Sequence, residues 1–186
     1  MGQVSIRFAE REDYSRILAL QDDNYIENLC DAERKDGFLS AKMSETQIDA
    51  IAKDSGIAVV YEVEEAETLL GFFCVSRFGH WQAGSIVHRL VHVLQTDFRD
   101  TRVSDPQNYC IFGPMCLTAA ARGKDVLGRL YEHAIANLQG RFSAAIGFIS
   151  VDNPRSLNAM AKLGWKPVGR FLWGEWQFHA LISDVV

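Results

Sequence analysis

A single mixed α/β domain, with a strand-helix-strand-helix core set inside a mixed sheet, is what three features of this sequence predict. Apolar residues repeat every second position in some segments and at the 3.6-residue spacing of amphipathic helices in others. Residues 109–118, 125–138, 144–151 and 154–163 then read in order as strand, helix, strand and helix. No linker, repeat or low-complexity tract divides the 186 residues, and their 48% hydrophobic content suffices for one core.

The remaining elements follow from the same patterns. Residues 4–8 alternate as a short strand, and Tyr14, Ile17, Leu18, Tyr25 and Leu29 share one stripe of a helix over 11–29. The run Asp36-Gly37-Phe38-Leu39-Ser40 interrupts that pattern. Ser44 with Gln47 has the spacing of a capping box and opens a second helix through about Lys53, which Gly56 ends. Apolar runs at 57–63 and 69–78, joined by the acidic connection 64–67, read as a hairpin. Val87, Leu90, Val91, Leu94 and Phe98 recur at helical spacing between two strands, so about 81–108 reads as a helical insertion into a domain spanning 1–186. In the helix 125–138 the inward stripe is Leu127, Leu130, Tyr131, Ala134 and Leu138, and residues 166–173 and 177–182 are the closing strands.

Composition excludes several partners. Nineteen Lys and Arg against 24 Asp and Glu give a net charge of -5, and no basic face emerges that would hold a nucleic-acid backbone. The small basic clusters, Arg122 and Lys124 with Arg129, and Arg99 with Arg102, suit one small phosphorylated ligand. No stretch approaches the ~20 apolar residues of a membrane helix, and the first residues lack the apolar segment of a secretion signal, so a cytoplasmic protein without a membrane partner is expected. Cys30, Cys74, Cys110 and Cys116 form no C-x-x-C pair and have no histidine at zinc-ligand spacing, so reduced thiols and no metal are expected. Cys110 and Cys116, six positions apart, would share one face of a regular strand.

Two segments carry chemical information. In the first, CIFGPMCLT runs directly into AAARGKDVLGRLYEHA, and a turn leading into a helix presents unpaired backbone N–H groups to an anion. Gly123 permits a positive φ or close backbone approach, while Arg122 and Lys124 add cationic donors; an ordinary loop with a solvated basic pair has the same composition. In the second, ISVDNPRSLNAMAKLGWKPVGRF, Asn153 is a natural N-cap, Pro154 occupies the first helical position and Gly164 follows the last turn. A helix starting there faces the groove where neighbouring strands end, which brings Asn153 and Ser156 within reach of a ligand.

Together these segments resemble the GCN5-related N-acetyltransferase (GNAT) superfamily. ARGKDVLGRLYEHA looks like its pyrophosphate-binding motif, and NPRSLNAMAKLGWKPVGRF looks like the motif that follows, with the N-x-R-S and K-L-G-aromatic elements in place. IRFAERED and LLGFFCVS resemble the family's opening segments, so the similarity covers most of the chain outside 81–108. The resemblance implies a central mixed, mostly antiparallel sheet with helices on both faces and a splayed strand pair holding acetyl-CoA. Cys116, Leu117 and Thr118 would then lie along the pantetheine arm; Arg122, Gly123, Lys124, Asp125, Val126 and Leu127 would bind the pyrophosphate; Asn153 and Ser156 would meet the cofactor. Gly113-Pro114 fits a bulge or loss of pairing where the strands part. The implied activity is direct transfer of an acetyl group to a small-molecule or peptide amine, with a backbone N–H on the Leu117 strand facing the oxyanion.

The chain departs from the family pattern in two places. Where Arg-x-x-Gly-x-Gly/Ala is expected, Asp125 and Leu127 replace the small residues. Asp125 must point away from phosphate or weaken its binding, although a carboxylate also favours a helix N-terminus; Leu127 can turn into the core stripe. Met160 stands where the family often has a tyrosine that protonates the departing sulfur, and methionine cannot do so. Tyr131 and Tyr109 are substitutes for that acid, each also readable as a packed aromatic. As bases or acceptor contacts, Asp152 with Ser150, the acidic Asp22, Asp23 and Glu27, and Glu175 with His179 are candidates, against the plainer reading of a solvated acidic face. Cys116 as a nucleophile lacks a histidine partner. The competing expectations are a catalytically silent acyl-CoA-binding domain, acting as sensor or structural module, and a domain whose Asp125 closes the cofactor site. Trp173 and Trp176 suit a homodimer surface, an acceptor pocket or a core.

Overall fold

Alternating apolar runs that bury both of their faces produce one seven-stranded sheet in the order β1-β2-β3-β4-β5-β7-β6. The computed structural model describes residues 4–54, 56–62, 68–138 and 140–185, so the acidic connection 64–67 lies outside the described residues. The strands are β1 (Val4–Phe8), β2 (Ile57–Glu62), β3 (Leu69–Ser76), β4 (Tyr109–Leu117), β5 (Ala144–Ser150), β6 (Pro167–Trp173) and β7 (Trp176–Asp184). Every neighbouring pair is antiparallel except β4 and β5, which are parallel. Parallel neighbours need a crossover, and α5 (Val126–Ala136) supplies it.

Helices cover both faces. On one side α1 (Tyr14–Asp23), α3 (Glu45–Asp54) and α4 (Ile86–Thr96) bury Ile17, Ile48, Ile51, Leu90 and Leu94 against Phe72, Ile111 and Ile146 of the sheet. On the other, α5 and α6 (Pro154–Lys162) bury Val126, Leu130, Ala134 and Met160 against Phe73, Phe112 and Leu181. A short helix, α2 (Asp31–Arg34), lies in the connection from α1 to α3. The capping signals act as their spacing predicts. Ser44 Oγ accepts from the Gln47 N–H at 3.2 Å while Gln47 Oε1 accepts from the Ser44 N–H at 3.0 Å. Gly56, at φ 94, stops α3.

Three expectations are corrected. The first helix ends at Asp23 rather than 29, because Asn24 and Ile26 exchange backbone hydrogen bonds with Leu39 and pull the chain out of the helix. The buried stripe of α5 starts at Val126 and continues through Leu130, Ala134 and Leu138, leaving Leu127 and Tyr131 half-buried beside it. Cys110 and Cys116 face opposite sides of the sheet. The β3–β4 register slips by one residue between Phe73/Met115 and Val75/Phe112, and a bulge reverses the alternation that a regular strand would keep. The segment 81–108 contributes to the core through α4, which buries six apolar residues, and through Phe98, whose ring lies so close to Gly169 of β6 that a Cβ there would come within 2.0 Å of it.

One buried charge anchors the opening elements. Asp13, with no exposed surface, receives Arg7 Nη1 at 2.6 Å, the Tyr61 hydroxyl at 2.6 Å and the Glu10 N–H at 2.7 Å. Burial alone would raise its pKa, but Arg7, Tyr61 and the Glu10 N–H together hold the carboxyl below its ordinary value. Asp13 therefore contributes stability above its unfolded pKa of about 3.9, and this is lost as pH falls through the lower folded value. Asp13→Asn is expected to cost about 2–3 kcal/mol in urea denaturation at pH 7, from the donors left poorly matched in the interior. The gap to wild type should narrow at pH 3.

Candidate functional site

β4 and β5 pair only at Tyr109/Ala144, Cys110/Ala145 and Ile111/Ile146, and beyond that point they part. From Phe112 onward β4 keeps β3 as its neighbour, while β5 from Gly147 onward keeps β7. Gly113, at φ 103, and Pro114 stand at the divergence, where proline has no N–H to offer a ladder. The result is a V-shaped cleft between two parallel strands. Thr118 donates its N–H to Leu70 of β3, so by strand alternation the N–H groups of Leu117 and Met115 face the open side of the V.

At the upper end of β4 the chain enters the turn that precedes α5. Gly123 takes φ 75 and Asp125 φ 58, both left-handed. The first helical bond of α5 runs from the Arg129 N–H to the Asp125 carbonyl, which leaves the N–H groups of Val126, Leu127 and Gly128 without a helical acceptor. Asp125 does not satisfy them, since its side chain makes no cap hydrogen bond. Its carboxylate instead lies over Gly128, where a Cβ would come within 2.6 Å of Oδ1. Leu127, packed against the edge of the core, also lines the cleft mouth beside Leu117, Arg122, Ser156 and Ala159. Val126 is buried and offers only its backbone; Lys124 is exposed at the rim.

Arg122 is already engaged: its Nε donates to the Leu117 carbonyl at 3.1 Å and its Nη2 to Asn24 Oδ1 at 2.9 Å. On the far wall, Asn153 caps α6 by accepting from the Ser156 N–H at 3.1 Å and donates from Nδ2 to the Phe38 carbonyl at 2.9 Å. Arg155 pairs with Asp36 at 2.9 Å. Three contacts thus tie the 36–41 segment and the end of α1 across the V, with Phe38 and Leu39 as its roof. Asn153→Ala is expected to lower stability by about 2 kcal/mol in denaturant titration, combining a lost N-cap of ~1 kcal/mol with an orphaned Phe38 carbonyl. Asn153→Asp, which keeps the cap and loses the amide donor, should retain about half of that.

An open cleft lies inside the V. Phe73, Trp81, Ile111, Phe112, Trp165 and Leu181 give it apolar walls, and Gly147, Met115, Ser40, Ser150, Asn153 and Ser156 line it with them. Met160, buried, lines it too; among the described residues no titratable side chain lines this inner part, while Asp36, Arg122 and Arg155 line the mouth.

The proposed acids and bases are placed elsewhere. The Tyr131 hydroxyl accepts from Trp165 Nε1 at 3.0 Å behind the cleft, in contact with Phe73 and Phe112. Burial raises its pKa, and the Trp165 hydrogen bond offsets part of that. Tyr109 is buried beside Phe78 with its pKa pushed up to about 12 by burial. Asp152 is exposed in the turn after β5 and donates its N–H to Ser150 Oγ at 3.2 Å. Asp22 is paired with Lys42, while Asp23, Glu27 and Glu175 are exposed. His179, on β7, is held below its ordinary pKa by burial and by Arg170. Burial pushes the Cys116 thiol up to about 12 despite Arg122 nearby, which leaves it protonated and unsuited to attack. Sequence reasoning missed Asn24, Asp36, Phe38, Arg155 and Trp81. The break at Gly37 was the available signal, but what the loop closes onto depends on contacts 98 to 119 residues away in sequence.

Among the described residues no cluster of His, Cys, Asp and Glu could hold a metal ion, and no helix is long and apolar enough to cross a membrane. Leu172, Trp173 and Trp176 are exposed at the tip of the β6–β7 hairpin, so the two tryptophans are not core residues.

A mixed, mostly antiparallel sheet that opens between two parallel strands beside a helix N-terminus defines the fold of the GCN5-related N-acetyltransferases, and this chain has that fold. The N-acetyltransferase from Staphylococcus aureus Mu50 aligns over 100% of both chains at 17% identity and a TM-score of 0.62. A GNAT superfamily phosphinothricin acetyltransferase from Sinorhizobium meliloti, in complex with AcCoA, aligns over 98% of this chain and 88% of its own at 16% identity and a TM-score of 0.62. A chain of the NatC complex bound to Gag peptide and CoA covers 100% of both at 13% identity and a TM-score of 0.68. No family model and no curated protein sequence matches the chain.

Proposed function

We propose that this protein is an acetyl-CoA-dependent N-acetyltransferase acting on an amine by direct attack. The observation that carries the reading is the coincidence of the β4–β5 splay with a left-handed glycine turn and three unclaimed N–H groups at the start of α5. That combination suits a ligand with a pyrophosphate at one end and an extended amide-bearing arm behind it. The turn 122–128 would hold the phosphates, the Met115 and Leu117 N–H groups the arm, and Ser156 the opposite wall; coenzyme A bound there supplies an activated thioester carbonyl. The structural neighbours crystallised with AcCoA or CoA support the same assignment.

With that thioester bound, the acceptor nitrogen would attack its carbonyl, and a C–N bond would form as the C–S bond breaks with its electron pair going to sulfur. We assign the stabilisation of the negative charge on oxygen to an N–H of Met115 or Leu117, and the amine proton would leave to water. Neither Tyr131 nor Asp152 is among the side chains that line the cleft or its mouth, so neither is read as reaching the reacting atoms directly. A thiol with pKa near 8.5 leaves tolerably as thiolate, so Met160 slows the reaction without blocking it. The missing base favours acceptors that are already neutral. At pH 7.5 about a third of a peptide α-amine of pKa near 7.8 is neutral, against about one in a thousand for a lysine-like amine of pKa near 10.4.

Amine-dependent release of free thiol from acetyl-CoA, followed across α-amino, aromatic-amine and polyamine acceptors, tests the reading. Turnover with the weakly basic acceptors is the expected result. Binding without release across the panel would favour the silent acyl-CoA-binding domain, for which the absence of titratable groups from the inner cleft among the described residues is the supporting observation.

A further inference from the structure

The two faces of the V differ in what they offer. A ligand seated on the turn before α5 and against Ser156 lies on the α5/α6 side, since those helices pack on that face of the sheet. A second reactant then has the α1/α4 side to enter by. Of the residues that line the cleft there, Ser40, Ala41 and Phe148 keep part of their surface open to solvent, and Ala41 and Phe148 pack against the core of that face. Trp81, from the segment 81–108, adds a ring whose N–H is already engaged with Ser76 Oγ at 2.9 Å. Phe148 also opens a row of aromatic rings. It meets Phe178 of β7 edge-on at 5.6 Å, and Phe178 stacks on Phe171 of β6 at 5.7 Å. Trp176 lies two residues from Phe178 and Trp173 two residues from Phe171, and the tryptophans pair across the hairpin, so strand alternation sets both on the same face as the phenylalanines. They end the row 44% and 39% exposed.

We propose, on the coenzyme A reading above, that the acceptor is a weakly basic amine whose carbon skeleton carries an aromatic ring and no second charge, with its nitrogen at the Ser40–Ala41 rim and its ring against Phe148 and the Trp173–Trp176 pair. Charge favours this class. Lys42, next to Ala41, is paired with Asp22 at 2.7 Å, and no titratable side chain among the described residues lines the inner cleft. Glu175, exposed in the hairpin turn, is the one carboxylate of residues 167–182, and Arg89 brings a cation to the same tip by donating to the Leu172 carbonyl at 3.4 Å. A second ammonium on the acceptor therefore gains little along the row, whereas an aromatic ring meets ring edges and faces on which it packs. Phe148 and Trp176 are on this account specificity-determining residues for the acceptor.

Thiol release from acetyl-CoA with glycine, leucine, phenylalanine, tryptophan and lysine amides, whose α-amines are of similar basicity, makes the side chain the variable. In the wild-type chain kcat/KM is expected to be about tenfold or more higher for the phenylalanine and tryptophan amides than for glycine amide, from burial of the ring, with lysine amide below leucine amide. Trp176→Ala, at an exposed hairpin tip, is expected to remove most of the ring's advantage, and Ala41→Glu, which sets a carboxylate at the rim, to raise lysine amide above the aromatic amides. The Kd for acetyl-CoA and the melting temperature, read on the same samples, separate these effects from loss of the donor site or of the fold. A flat order across the panel, a lead for lysine amide in the wild type, or a ring advantage that survives both substitutions overturns the proposal and leaves the coenzyme A reading standing. Acetyl-CoA binding with no turnover of any amide also overturns it and favours the silent domain. Absence of acetyl-CoA binding removes the coenzyme A reading together with the proposal.

Discussion

Asp125→Gly is expected to tighten acetyl-CoA binding ten- to a hundredfold at low ionic strength. The residue sits at the start of α5 with φ 58, a backbone conformation that glycine adopts without strain and aspartate tolerates at a cost. Its carboxylate lies over Gly128 and makes no cap hydrogen bond, so its removal orphans no helical N–H. Loss of its favourable interaction with the helix dipole, about 0.3–1 kcal/mol, is offset by relief of the left-handed strain, and the unliganded protein should melt at nearly the same temperature. Repulsion between two unit charges ~4 Å apart is about 1 kcal/mol in water and about 4 near a protein surface, which sets the expected range of affinity. The gain should shrink as salt is added, since exposed charges are screened. An unchanged Kd at low salt would show that phosphate does not approach this turn.

Gly123→Trp is expected to weaken acetyl-CoA binding at least a hundredfold. A Cβ built at Gly123 meets nothing within 4 Å, so the substitution brings no clash in the free protein beyond the strain of φ 75, about 1 kcal/mol. The indole would stand over the N–H groups of Val126, Leu127 and Gly128 and exclude a phosphate from them. Gly123→Ala carries the same strain without the bulk. Comparable losses from the two variants would locate the effect in the backbone; a large loss from tryptophan with a few-fold loss from alanine locates it in obstruction of the turn.

Much of this architecture is legible in the sequence because it is written locally. The Ser44–Gln47 box, the Asn153-Pro154 start and the glycines at 56 and 164 each bound a helix through contacts only a few residues apart. The continuous apolar runs from 69 to 76 and from 144 to 150 mark buried strands by the same logic. What escapes is decided at a distance. Leu29 and Tyr25 continue a helical stripe on paper, yet Leu39 competes successfully for the backbone at Asn24 and Ile26. Cys110 and Cys116 obey strand periodicity until a one-residue slip in the β3–β4 register places them on opposite faces.

The candidate site divides along the same line. The turn 122–127 and the α6 start are contiguous motifs, and their places in the fold follow once strand and helix are assigned. Tyr131 reads in the sequence either as a replacement acid for Met160 or as a packed aromatic, and the second reading holds: with Val126 and Leu130 buried, its hydroxyl meets Trp165 behind the cleft. Asp152, next to a motif residue in sequence, turns out to solvent. The roof of the cleft, where Asp36 meets Arg155 and Phe38 meets Asn153, joins segments more than a hundred residues apart, and no local pattern announces such a contact.

Calorimetric titration of the wild-type chain with acetyl-CoA, with the melting temperature read on the same samples, tests the central claim most directly. The account predicts one binding site per chain and, at a hundred times the measured Kd, about 2.7 kcal/mol of added stability. Neither heat nor stabilisation at millimolar acetyl-CoA would contradict it, and would leave the splayed strands and the α5 turn as features of the fold without a cofactor.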